Sequence, residues 1–189
     1  AELLADLPEQ AAPFDDALAA YERKEYARAM REFRTLGVKG DSDAQFYLGV
    51  MFFVGLGVQK DERQAAYWYR KAADQGDVYA QQNLGNMYAS GRGVPKDDQQ
   101  AAAWYRKAAD QGDASAQYNL ALMYANGEGV PKDDQQAAAW YRKAADQGND
   151  RAQYRLGLMY ALGEGVPKDE QQAAAWFRKA AEQGDPDSQ

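Results

Sequence analysis

Apolar residues recur three and four positions apart along most of the chain, separated by short polar stretches that contain glycine. In one such segment Ala80, Leu84, Met87 and Tyr88 form a first stripe, and Ala101, Trp104, Tyr105 and Ala108 form a second. That spacing places each set on one side of an amphipathic helix. Asp77 precedes the first stripe as an N-cap residue. Gly91 and Gly93 stop that helix, and the Val94-Pro95 pair disfavours an immediate restart. Asp97, followed three residues later by Gln100, is a capping-box pattern that opens the second helix, and Gly112 closes it. Alanines facing large aromatics allow close helix approach, with the indole filling the gap. The pattern predicts a helix–turn–helix unit.

This unit repeats. Trp68, Trp104, Trp140 and Trp176 are 36 residues apart, as are Gly76, Gly112, Gly148 and Gly184, and Leu48, Leu84, Leu120 and Leu156. A sustained period between about 20 and 50 residues marks a tandem repeat architecture. Four repeats are expected, over 41–76, 77–112, 113–148 and 149–184. The cap positions recur as Asp41, Asp113 and Asn149, and as Asp61/Gln64, Asp133/Gln136 and Asp169/Gln172. Residues 14–40 read as a degenerate capping helix pair, with Ala17, Leu18 and Tyr21 on one short helix and Tyr26, Ala29, Met30 and Phe33 on the next. Residues 1–13, with Pro8 and Pro13, are expected to be extended or disordered. Residues 185–189 resume the first five positions of the unit and read as the start of a truncated fifth repeat.

Composition narrows the chemistry. The 189 residues carry a net charge of −7 and contain neither cysteine nor histidine. Disulfides, thiolate metal sites, cysteine nucleophiles and Ser/His/Asp triads are therefore excluded, and zinc lacks its usual ligands. The acidic balance argues against a nucleic-acid partner. The longest nearly apolar stretch, 48–58, is too short to cross a bilayer. No catalytic residue, metal ligand or cofactor is implied, and the chain reads as a non-enzyme.

The unit A-Q-x-x-L-G-x-M-Y-x-x-G-x-G-V-P-K-D-x-x-x-A-A-x-W-Y-x-K-A-A-x-Q-G resembles the Sel-one-like repeat, a relative of the tetratricopeptide repeat. Its third copy supplies Ala116, Gln117, Leu120, Met123, Tyr124, Gly127, Gly129, Val130, Pro131, Lys132, Asp133, Ala137, Ala138, Trp140, Lys143, Ala144, Ala145 and Gly148. Departures are small: Gln59 stands where the other copies have proline, and Ala121 where they have glycine. The resemblance implies an all-α, right-handed α-solenoid of antiparallel helix pairs that serves as a protein–protein interaction scaffold or adaptor. Some bacterial relatives staple each repeat with a disulfide, which this chain cannot form. The resemblance also points to a periplasmic or secreted location, with a cytoplasmic one as the alternative.

Comparing the repeats with one another locates a candidate site. Repeats two and three differ at seven positions, all within the first 16 of the 36. An even scatter would give (16/36) to the seventh power, roughly 0.003, if the repeats are equivalent units. At about 100° per residue, the nearly constant positions 4, 5, 8, 11, 12 and 15 fall within roughly 20–140°. The variable positions 3, 6, 7, 10, 13 and 14 fall within roughly 220–340°. By the resemblance to tetratricopeptide arrays, the first helix of each repeat lines the concave side, which the variable face would then occupy.

This face carries Tyr79, Gln82, Asn86 and Ser90 in repeat two. Repeat three places Ser115, Tyr118, Leu122 and Asn126 there, and repeat four Arg151, Tyr154, Arg155, Leu158 and Leu162. Repeat one has Asp43, Phe46, Val50, Phe53 and Val54, of which Phe46, Val50 and Phe53 can equally be core beneath the leading helices. Aromatics and leucines beside amides and arginines suit capture of a protein or peptide segment, whereas free drift of an exposed face is the plain alternative. Other features read as structural. Gly91-Arg92-Gly93 has no preceding strand to make a phosphate loop. The aspartates of Lys96-Asp97-Asp98 are caps, and Arg106, Lys107 and Asp110 a solvated face with local pairs. A scaffold in cell-envelope or polysaccharide assembly is the runner-up function, and a carboxylate-dependent hydrolase the last.

Overall fold

The computed structural model describes residues 13–184, and every regular element among them is a helix. The leading pair is α1 (Pro13–Glu22) and α2 (Tyr26–Val38). Repeat one forms α3 (Ser42–Val54) and α4 (Glu62–Asp74), and repeat two α5 (Val78–Ser90) and α6 (Asp98–Asp110). Repeats three and four form α7 (Ala114–Asn126), α8 (Asp134–Asp146), α9 (Asp150–Leu162) and α10 (Glu170–Gly184). The expected leader and the resumed fifth unit lie outside the described residues, with one exception. Pro13 is the first residue of α1 rather than part of an extended segment, a position its fixed φ suits.

Local signals set these boundaries. Asp41 accepts from the Ala44 N–H at 2.8 Å, Asp113 from Ala116 at 2.6 Å and Asn149 from Ala152 at 2.9 Å. Gly127 and Gly163 end α7 and α9 at φ 72° and 74°, in the left-handed region that glycine enters without strain. Second helices start at Asp97, Asp133 and Asp169, whose carboxylates accept from Gln100, Gln136 and Gln172 N–H, each at 3.0 Å. The capping-box expectation needs one correction. The backbone N–H of Asp97, Asp133 and Asp169 donates to the carbonyl of Tyr88, Tyr124 and Tyr160 near the end of the preceding helix. One bond thus satisfies an orphan acceptor at a helix C-terminus and closes the turn.

The chain divides into two compact units, Ala1–Ala80 and Gln81–Gln189. In the first, α1 and α2 cover α3 through an aromatic cluster: Phe33 stacks on Tyr47 at 4.9 Å, with Phe14 and Tyr21 against both. Beneath it lie Leu48, Met51, Ala65, Trp68 and Tyr69, all buried. The Gln45 amide donates to the Gly37 carbonyl at 2.9 Å and accepts from Gln75 at 2.8 Å, so one buried side chain ties α2, α3 and the end of α4.

In the second unit the core repeats with the sequence. Leu84, Leu120 and Leu156 from first helices, and Trp104, Trp140, Tyr105 and Tyr141 from second helices, are all buried. Glycine at the ninth position permits the close approach: a Cβ at Gly85 would lie 2.7 Å from the Tyr105 ring, and one at Gly157 2.7 Å from Phe177. The glutamine relay recurs, with Gln117 donating to the Ala109 carbonyl at 3.1 Å and accepting from Gln147 at 2.8 Å. Gln153 does the same with Ala145 and Gln183. Buried amides are tolerated because both ends are satisfied.

Candidate functional site

The variable face is exposed, and the opposite face is core. None of the 13 residues singled out in repeats two to four is buried, whereas Ala80, Gln81, Leu84 and Met87 of α5 all are. On the first unit Tyr79 is 61% exposed with its ring 6.0 Å from Phe46. On the second, Gln82 is half-buried and Asn86 and Ser90 are exposed. Ser115 and Asn126 of α7 are exposed, with Tyr118 and Leu122 half-buried. Arg151, Tyr154, Arg155 and Leu162 of α9 are exposed, and Leu158 is half-buried. In repeat one Phe46, Val50 and Phe53 are half-buried, so neither expectation for them holds alone, while Val54 stands 56% exposed.

Some of these side chains already have internal partners. Asn86 accepts from the Tyr105 hydroxyl at 2.7 Å and from the Asn119 amide at 3.4 Å. The Ser90 hydroxyl donates to the Asn86 carbonyl at 2.7 Å, a bond within its own helix. Burial pushes the Tyr105 and Tyr141 hydroxyls up to about 12, so both stay neutral in the folded protein. At Tyr141 the Arg155 charge opposes that rise and Tyr118 adds to it.

Five of the predicted residues meet in one place. Tyr118, Arg151, Tyr154, Arg155 and Leu158 line an open depression of about 840 Å³. Tyr154 leans on Phe177 at 5.6 Å and Tyr118 on Tyr141 at 5.7 Å, so each of these tyrosines rests on an aromatic of its own repeat's second helix. Ser115, Leu122, Asn126 and Leu162 stand on the same helix faces but do not line the depression.

Its remaining wall was not among the expected residues. Asp150 sits at the rim, with its carboxylate accepting the Arg151 backbone N–H at 2.8 Å, and Phe177, Ala180 and Ala181 come from α10. In earlier repeats these second-helix positions are core: Tyr141, Ala144 and Ala145 are buried. Repeat comparison marks the two alanines as constant, shows Phe177 where the other copies have tyrosine, and gives no signal of access.

The second helices also hold more than a solvated polar face. Arg106 donates to the Tyr124 hydroxyl, with its guanidinium 5.5 Å from that ring's centre. Arg142 and Tyr160 repeat the pair. Lys107 and Lys143 cover the Trp104 and Trp140 rings at 4.0 and 3.8 Å. These cations pack onto neighbouring aromatics.

Tandem 36-residue helix pairs with a constant core and an exposed variable face define an α-solenoid repeat protein. The Sel1 repeat family matches residues 42–77, 78–113, 114–149 and 150–185, and the chain belongs to that family. Among solved structures, a protective antigen present in uropathogenic Escherichia coli strains is 38% identical with a TM-score of 0.88, over 93% of this chain and 38% of its own length. The chain thus spans well under half of that relative. A Sel1 repeat protein from Oxalobacter formigenes is also 38% identical, at TM-score 0.85, over 92% of this chain and 71% of its own. Cysteine rich protein B of Helicobacter pylori is 28% identical, at TM-score 0.53, over 68% of this chain and 92% of its own. No curated protein matches the chain. Sel1 repeat proteins are generally protein-interaction scaffolds, typically non-catalytic.

Proposed function

We propose that the chain is a non-enzymatic adaptor that holds a protein segment against the variable faces of its first helices. One observation supports this reading: the residues that vary along one face of the first helices are exposed or half-buried, while the opposite face of the same helices is buried. Half-buried aromatics backed by a rigid second helix offer contact area with little ordering cost on the scaffold's side. The depression beside α9 supports the reading, because it joins tyrosines from two successive repeats to a leucine and charged groups. Replacing Tyr118, Leu122 and Tyr154 together by alanine is expected to abolish partner capture while leaving helicity by circular dichroism unchanged. Retention of the same partners by the triple variant would overturn the groove.

A further inference from the structure

Two solvent-facing surfaces of repeats two and three behave oppositely. The first helices carry most of the seven differences between these copies, so the two repeats have had room to diverge. The second helices are identical, although α6 leaves Gln99, Gln100, Ala103, Lys107 and Asp110 exposed and α8 leaves Gln135, Gln136, Ala139, Lys143 and Asp146 exposed. Repeat four keeps the set as Gln171, Gln172, Ala175, Lys179 and Glu182, whereas repeat one breaks it with Arg63 and Tyr67. At three- and four-residue spacing each set forms one stripe along its helix.

Needs inside the chain explain only part of this stripe. Asp97 caps α6, Lys96 pairs with Asp98 at 3.6 Å, and Lys107 covers the Trp104 ring. The Gln99 and Gln100 side chains and the Asp110 carboxylate have no partner among the described residues. Gln100 is not required for a capping box, because the Asp97 N–H is taken by the Tyr88 carbonyl. Asp110 ends α6 and Asp146 ends α8, where the helix dipole disfavours an acid. Groups that are exposed, locally unfavourable and still identical from copy to copy point to a contact outside the chain.

A contact that holds successive repeats to the same residues fits a partner that repeats at the same step, and a second copy of this chain is such a partner. The order of charges on the stripe agrees. When two helices are laid antiparallel with Ala103 against Ala139, equal steps from the centre bring Asp110 to the turn that holds Lys132, and Lys96 to Asp146. Lys107 then meets Gln135, and the alanines at the crossing allow close approach. Because α6 and α8 have the same residues, one two-fold axis makes both junctions alike.

We infer that this stripe pairs two copies of the chain, with α6 of each lying on α8 of the other and the terminal aspartates received by lysines across the contact. The pairing uses the second helices and is independent of the groove on the first.

Sedimentation equilibrium of the 189-residue chain tests it. Self-association is expected at concentrations up to about 1 mM and is weakened by salt. The D110K/D146K variant sets like charges against each other and is expected to raise the dissociation constant about tenfold or more. Adding K96D/K132D restores opposite signs across the contact and should recover most of the affinity, which a damaged fold could not do. A103R/A139R, which puts a bulky charge at both crossings, should leave the chain monomeric. An intact chain that stays monomeric throughout overturns the pairing, and so does an association that neither set of substitutions moves. Failure of the charge swap to recover the association overturns the antiparallel arrangement and with it the proposal. All six substituted residues are exposed, so matching circular dichroism checks that folding is shared.

Discussion

Within one repeat the two helices answer to different constraints. The second helix is held to one pattern: Ala137, Ala138, Trp140, Tyr141, Ala144 and Ala145 of α8 are all buried. On the first helix only one face is so constrained, and α7 leaves Ser115 and Asn126 in solvent. Exposure alone does not separate them, because α8 also leaves Gln135, Gln136, Ala139, Lys143 and Asp146 in solvent while its sequence matches that of α6. A helix with one open face can change that face from copy to copy at almost no cost to the fold. The variable face then acquires specificity while the stack beneath it is unaltered.

The largest break in this contrast comes from the second helix. Trp140→Ala removes a buried indole and the surface that Lys143 covers, and is expected to destabilise the protein by about 3–5 kcal/mol, read from the urea unfolding midpoint. The three variable-face alanine substitutions described above, at half-buried or exposed side chains, should each shift that midpoint far less. A comparable loss in both would mean that the two helices are not specialised.

Two glycines sharpen the comparison on a smaller scale. Gly129 has φ 69°, and a Cβ there would overlap the Asp98 carbonyl at the start of α6. Gly148 has φ 90° with open space around it. Gly148→Ala should cost about 1 kcal/mol for backbone conformation alone, and Gly129→Ala about 2 kcal/mol or more because a helix must also shift. Equal effects in thermal unfolding would show that the turn does not brace the neighbouring helix.

Alkaline titration gives the mildest test, with no effect at neutral pH. Tyr105 and Tyr141 rise from an ordinary value of 10.0 to about 12 on folding. Their contribution is complete below pH 10. As pH climbs from 10 towards 12 the unfolded chain ionises first and stability falls. Stability unchanged across that window would place both rings in water rather than under their neighbours.

Much of the fold was legible because its signals act over a few residues. Asp113 caps α7 through a bond spanning three positions, Gly127 stops it, and the 36-residue interval repeats both. The direction of exposure on the first helices was equally legible, since a helix turns by a fixed angle per residue. Other features were not. Gln117 and Gln147 are 30 residues apart and Arg106 and Tyr124 18 apart, and polar residues at such separations look the same whether solvated or paired. Asn86 reads as a free amide in the sequence and is engaged by Tyr105 in the structure.

Sequence alone determined that this chain is a tandem array of capped helix pairs with one changing face, because caps, glycine stops and helical periodicity are local properties of the backbone. Tertiary packing decided which of the changing residues converge. It gathered Tyr118, Arg151, Tyr154, Arg155 and Leu158 around one depression and completed the wall with Phe177, Ala180 and Ala181 from α10. Proximity across helices depends on how one repeat rests on the next, and no spacing within a single helix encodes it.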